Sequence, residues 1–174
     1  MSRELLLLRH AKSSWDMSVA RDFIRPLAAR GRRDAPLIGE WLAGQGLVPD
    51  VIVSSPAVRA MQTIQAVCET LAIPQDSIRQ DERIYIAELS TLLEVLASIP
   101  SGLHRVLLTG HNPGMDQLLI HLCGPDLPRT ASGKLMTTAA LARIELPDGW
   151  QRLPAGCGRL LQLVRPRELA RRLG

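Results

Sequence analysis

The sequence predicts an α/β fold built on a mostly parallel sheet. Three observations carry that expectation. Leu5-Leu6-Leu7-Leu8, Val51-Ile52-Val53 and Val106-Leu107-Leu108 are short unbroken apolar runs, the pattern of strands buried on both faces. Each run is followed by a polar loop and then by residues of helical periodicity, as in βα units. Aromatics make up 3% of a chain that is 46% hydrophobic, so the core must be Leu, Ile, Val and Ala, which suits helices packed on a sheet. At 174 residues the chain reads as one domain, residues 1–174, with room for a sizeable core.

The elements follow in order. The first run leads straight into Arg9-His10, where a strand must leave the sheet. A loop covers Ala11–Asp16 and continues through Asp22 to Leu27. Pro26 biases Arg25 away from helix and leaves it on a loop edge. A helix over 28–43 places Ala35, Ile38, Trp41 and Leu42 on one face, and Gly44-Gln45-Gly46 ends it. Pro36 is expected to kink this helix or to mark its true first turn. After the second run, Ser54-Ser55-Pro56 reads as a helix start, with Ser at the cap and Pro at the first helical position. Val58, Met61, Ile64, Cys68 and Leu71 form the buried face of that helix. Arg59 lies off the face and leans back toward the strand end.

Residues 74–88 carry no clear pattern, although Asp81, Glu82 and Glu88 cluster around Ile84-Tyr85-Ile86. A helix over 89–98 shows Leu92, Leu93, Leu96 and Ile99 as apolar. The third run ends in Thr109-Gly110-His111-Asn112-Pro113-Gly114, and a helix then runs to about Leu122. Past Gly124 a loop reaches Thr138. Ala139–Leu146 and Arg159–Val164 read as two further strands, and Arg165–Gly174 as a short basic tail.

Composition narrows the function. The net charge is +4, carried almost wholly by arginine, since Lys12 and Lys134 are the only lysines. Permanently charged, planar guanidinium suits phosphate or carboxylate recognition. Too few aromatics are present for a nucleic-acid stacking platform. No apolar run reaches a membrane-spanning length, and the run before Arg9 is too short for a signal peptide. Cys68, Cys123 and Cys157 are far apart and form no CxxC pair, which argues against zinc and fits a reducing, cytoplasmic setting. No cofactor, nucleic-acid partner or membrane partner is expected.

Three strand ends each deliver basic groups to one edge of the sheet: Arg9 with His10, Arg59, and His111. Arg25 can join them from its loop. In open α/β sheets ligands collect at that edge. No Asp or Glu follows these strands directly, so the pocket reads as positive and free of metal. It fits a phosphoryl group, whose transfer needs charge stabilisation and an in-line nucleophile. Neutral imidazole is abundant near pH 7, which makes histidine the candidate nucleophile. Serine would need an activating base, and no GxSxG elbow occurs.

The Arg9-His10 start, Ser55-Pro56 followed by Arg59, and Gly110-His111 resemble the histidine phosphatase (phosphoglycerate-mutase-like) superfamily. More narrowly, Arg9-His10-Ala11-Lys12-Ser13, Arg25-Pro26-Leu27 with Gly31, and Gly110-His111-Asn112-Pro113-Gly114 resemble the SixA-type phosphohistidine phosphatases. The resemblance implies a three-layer α/β/α sandwich and a phosphohistidine intermediate on His10. It implies that Arg9, Arg59 and His111 clamp the phosphoryl group, with Arg25 as a SixA-like addition. Ala11 departs from the glycine usual in the wider superfamily. Many members also carry a carboxylic acid that protonates the leaving group. The candidates here are Glu82 and Glu88, and neither sits in a convincing acid motif.

A pocket without a strong acid should favour phosphorylated imidazole, whose leaving group has a free pKa of about 6.5, over alkyl phosphates. The expected activity is therefore a metal-independent phosphatase acting on phosphohistidine in a signalling or phosphorelay protein. Two alternatives stand beside it. A broad small-molecule phosphomonoesterase would need a competent acid at Glu82 or Glu88. A phospho-ligand binding module without turnover would need only the arginines.

Overall fold

A computed structural model describes residues 2–16 and 21–173. Residues 17–20 of the loop expected between Ala11 and Leu27 lie outside the described residues. Six strands form one sheet: β1 (Arg3–Arg9), β2 (Val51–Ser54), β3 (Ile78–Gln80), β4 (Arg105–Gly110), β5 (Leu141–Leu146) and β6 (Arg159–Val164). Their order is β3-β2-β4-β1-β5-β6. The first four in this order run parallel, and β5 and β6 add an antiparallel edge beside β1. Five helices accompany them: α1 (Ala29–Gly44), α2 (Val58–Leu71), α3 (Leu89–Ala97), α4 (Gly114–Cys123) and α5 (Pro166–Leu173). No described helix is long and apolar enough to cross a membrane.

The period-two alternation of the strands sorts these helices into layers. Leu5 and Leu7 pack with Leu92 and Leu96 of α3 and with Leu118 and Leu122 of α4. Leu6 and Leu8 pack on the opposite face with Ile38 and Leu42 of α1, Ile64 and Val67 of α2, and Leu169 of α5. All four leucines of β1 are fully buried. At about 1.5–3 kcal/mol for each buried leucine, this central strand is a firm base for the residues at its end. The result is the three-layer α/β/α sandwich with a mostly parallel sheet.

Several local expectations change. Pro36 does not mark the start of α1, which begins seven residues earlier at Ala29 and continues through it. Ser54 and Ser55 do not cap α2. The N-cap position is Ala57, with no side-chain cap, because the Ser55 hydroxyl accepts from the Ala57 N–H at 3.2 Å and faces the His111 ring instead. The buried face of α2 is Arg59, Ala60, Thr63, Ile64, Val67 and Cys68, so Arg59 lies on that face rather than off it. The unreadable stretch holds the short strand β3 and the 3-10 turn Glu82–Ile84. β5 starts at Leu141, because Ala139 has φ +60°, a left-handed conformation no strand accommodates.

The loop after His10 is fixed by close backbone approach. The Ala28 N–H donates to Lys12 O at 2.8 Å and the Ser14 N–H to Pro26 O at 2.8 Å. A Cβ on Gly31 would stand 2.2 Å from Lys12 O, so only glycine lets α1 lie against this segment. Gly31→Ala is expected to lower stability by about 1–3 kcal/mol, an overpacking cost that outweighs the better helix propensity of alanine. The shift in urea midpoint at constant m-value measures it. An unchanged or higher midpoint would mean that the loop is free to move away from α1.

Candidate active site

The register of the sheet brings three strand ends together. Arg9 pairs with Gly110 across β1 and β4, and Ser54 with Thr109 across β2 and β4. His10 and His111 therefore leave the sheet as neighbours, with ring centroids 5.2 Å apart. Arg59 arrives from the first turn of α2. Arg9, His10, Arg25, Arg59 and His111 all line one cleft of about 310 Å3. The five residues singled out in the sequence are thus gathered at one place. Glu82 and Glu88 are not: both are exposed, and neither lines the cleft.

The backbone holds His10 on both sides. Its N–H donates to Gly110 O at 3.1 Å, and its carbonyl accepts from the Ala139 N–H at 3.0 Å. The ring Nδ1 lies 2.7 Å from Ala11 O. A carbonyl can only accept, so Nδ1 carries the proton and Nε2 carries the lone pair. The Ala11 N–H donates in turn to Thr63 Oγ1 at 2.9 Å, and that hydroxyl donates to Arg59 O at 2.7 Å, which ties the histidine segment to α2. Burial, reinforced by the charges of Arg59, Arg9 and Arg25, pushes the His10 imidazolium down to about 4 despite the Ala11 carbonyl. His10 is therefore neutral at pH 7.

His111 is also buried and is pushed down to about 3, by burial first and then by His10 and Arg59. Its Nε2 lies 2.7 Å from Ser55 Oγ. The Ser55 hydroxyl, which also accepts from the Ala57 N–H, has both a proton and a second lone pair to offer this nitrogen. That buried Nδ1 has no partner among the described residues, and neither do Nε of Arg9, Nε of Arg25 and Nε of Arg59. Unsatisfied buried donors are costly, and three guanidinium Nε–H groups beside one cleft are of the type that an oxyanion can satisfy. Burial lowers the pKa of Arg9 against the pull of Asp116, but a guanidinium stays charged regardless.

Sequence reasoning missed Asp22, Tyr85, Trp15 and the role of Ser55. Asp22 is the one carboxylate lining the cleft among the described residues. Its Oδ1 accepts from Arg25 Nη2 at 3.0 Å, and its Oδ2 from Arg59 Nη2 at 3.0 Å and from the Tyr85 hydroxyl at 2.6 Å. Partial burial works against ionisation here. The hydrogen bonds from Tyr85, Arg25 and Arg59 prevail and hold this carboxyl far below the usual range. Arg25 also donates to Ser13 Oγ and lies 3.8 Å over the Trp15 ring. Trp15 and Ile86 form an apolar mouth, 71% and 58% exposed, and Ile86 is held at φ +47°. The spacing of Asp22 and Arg25 was a visible signal, since residues three apart on a tight turn share a side. Nothing local marked Tyr85, which comes from the unreadable stretch.

Comparison with known proteins agrees with this geometry. Residues 5–84 match the family model of the histidine phosphatase superfamily (branch 1). A solved structure of a candidate phosphohistidine phosphatase SixA from Agrobacterium tumefaciens superposes with TM-score 0.80 at 31% identity, covering 95% of this chain and 99% of that one. The chain belongs to the histidine phosphatase superfamily. Within it, the likeness is to SixA. The phosphohistidine phosphatase SixA of Escherichia coli K12 is 27% identical over 158 residues, which span 87% of this chain and 94% of that protein. A structure of the protein histidine phosphatase SixA complexed with tungstate matches with TM-score 0.79 at 26% identity, covering 95% and 99% of the two chains.

Proposed function

We propose that this protein is a metal-independent phosphohistidine phosphatase that acts on a phosphorylated signalling or phosphorelay protein in the cytoplasm. The observation that carries the reading is the His10 ring. Its Nδ1 is committed to Ala11 O, so Nε2 offers its lone pair in a cleft shared with three guanidinium groups. Nε2 attacks phosphorus, the bond to the leaving group breaks, and a phosphohistidine forms on His10. Water then attacks that phosphorus and returns the imidazole. Arg9, Arg25, Arg59 and His111 stabilise the charge on the phosphoryl oxygens in both steps, the role that metal ions play in other phosphatases.

The leaving group decides the substrate. The carboxylate in the cleft is held ionised by two arginines and a tyrosine, so it has no proton to give. Glu82 and Glu88 stand outside the cleft. An alkoxide would depart without help, whereas a phosphorylated imidazole loses a weakly basic ring. The apolar mouth of Trp15 and Ile86 fits a flat ring presented from a protein surface better than it fits a sugar.

A leaving-group series on wild type, Glu82→Gln and Glu88→Gln tests this reading. Phosphohistidine and aryl phosphates should react well, alkyl phosphates poorly, and the rate should depend steeply on leaving-group pKa. Each Glu→Gln change should cost far less than the roughly 10²–10⁴ that a general acid contributes. A loss of that size confined to alkyl phosphates would establish an acid and make the small-molecule phosphomonoesterase the better reading.

A further inference from the structure

The arginines of the cleft are held in unequal ways, and one residue accounts for two of them. Asp22 receives Arg25 Nη2 on Oδ1 and Arg59 Nη2 on Oδ2, each at 3.0 Å, and its main-chain oxygen receives Arg59 Nη1 at 2.8 Å. Tyr85 donates to the same Oδ2 at 2.6 Å. We propose that Asp22 is a positioning residue for the oxyanion pocket: it grips Arg25 and Arg59 by their terminal nitrogens and leaves their Nε–H edges for the phosphoryl oxygens. The assignment rests on the function proposed above.

Three observations support it. First, the grip uses only the Nη ends, while Nε of both arginines is buried and has no partner among the described residues. A guanidinium binds an oxyanion in parallel bonds through either edge, so a carboxylate at the far end does not compete for the Nε edge. Second, Arg25 is restrained on its other sides by Ser13 Oγ and the Trp15 ring, so the Asp22 bond completes its immobilisation. A long arginine side chain that is already ordered costs less to use when the anion arrives. Third, Asp22 balances the charge. Three guanidinium groups and Lys12 line the cleft beside neutral imidazoles, and Asp22, the one carboxylate lining it among the described residues, tempers that charge while leaving the cleft net positive for a doubly charged phosphoryl group. The Asp22 side chain is 42% exposed and its 3-10 turn contains no buried residue, so a role in the core does not explain its contacts.

The rival geometry is a resident anion that occupies the pocket and must be displaced. The two make opposite predictions. Calorimetric titration of the whole protein with tungstate reads the pocket without turnover, and the stoichiometry counts only folded molecules. Asp22→Asn keeps the shape but loses the charge and one acceptor. It is expected to weaken tungstate binding roughly tenfold, the scale of a lost charge-assisted hydrogen bond, and to lower kcat on an aryl phosphate. Tyr85→Phe, which leaves the formal charge unchanged, should shift both in the same direction by roughly two- to fivefold. Equal or tighter tungstate binding by Asp22→Asn would overturn the assignment and make Asp22 a competitor. If that variant fails to fold, an unchanged dissociation constant for Tyr85→Phe overturns it. Wild type that binds no tungstate would instead strike the proposed function, and this assignment with it.

Discussion

Replacing His10 with alanine is expected to reduce turnover by on the order of 10⁴-fold or more while the protein stays folded, because nucleophile removal leaves only the binding groups. The ring contributes little to the core. Its partners are one carbonyl and its neighbour His111, and the four leucines behind it remain in place. Far-UV circular dichroism and the unfolding midpoint should therefore be near those of wild type. The same mechanism fixes the pH dependence. Protonation consumes the lone pair on Nε2, so the rate falls as pH drops through the pKa of His10. Burial and the three arginines place that limb near pH 4, not near the ordinary value of 6.5. The assay is kcat/KM against pH, corrected for substrate ionisation, together with labelled phosphate trapped on the protein after rapid quenching. Label on wild type and none on His10→Ala is the expected pair. Substantial hydrolysis by the folded variant would remove the covalent mechanism.

Arg59→Lys should cost on the order of 10²-fold in kcat/KM, although charge is retained. Arg59 is 4% exposed and enters from the buried face of α2. Two of its terminal nitrogens bind Asp22, one to the main-chain oxygen and one to the carboxylate, and its Nε remains for an oxyanion. A lysine can satisfy one of these directions but not the fork. Its ammonium is also more strongly hydrated, so burial at this depth disfavours it. Near-normal kinetics for the variant would place Arg59 outside the site. A loss appearing wholly in KM would make it a uniform binder of ground and transition states.

The chain order already contained the sheet and the principal cations. Leu5–Leu8, Val51–Val53 and Val106–Leu108 are apolar on every residue because both faces of a parallel sheet are covered, and that signal needs no partner to be read. Because helices follow these strands, the groups at their carboxyl ends had to meet at one edge, so Arg9, His10, Arg59 and His111 were legible together. The layers follow from the alternation of Leu5 and Leu7 against Leu6 and Leu8.

Burial and pairing were a different matter. Helical periodicity treats arginine as a surface residue, yet Arg59 is buried because Asp22, 37 positions earlier, takes up its charge. Ser55 looks like a helix cap until His111, 56 positions later, stands beside its hydroxyl. Tyr85 reaches Asp22 across 63 residues from a segment with no periodicity. Glu82 and Glu88 were acid candidates because many members of the resembled superfamily carry a carboxylic acid before the second histidine, and they end up in solvent. Local pattern reports which face of an element meets the core, and it does so residue by residue. The charge partner of a buried cation, the tautomer of an imidazole and the presence of a proton donor depend on atoms that only chain folding brings within about 3 Å.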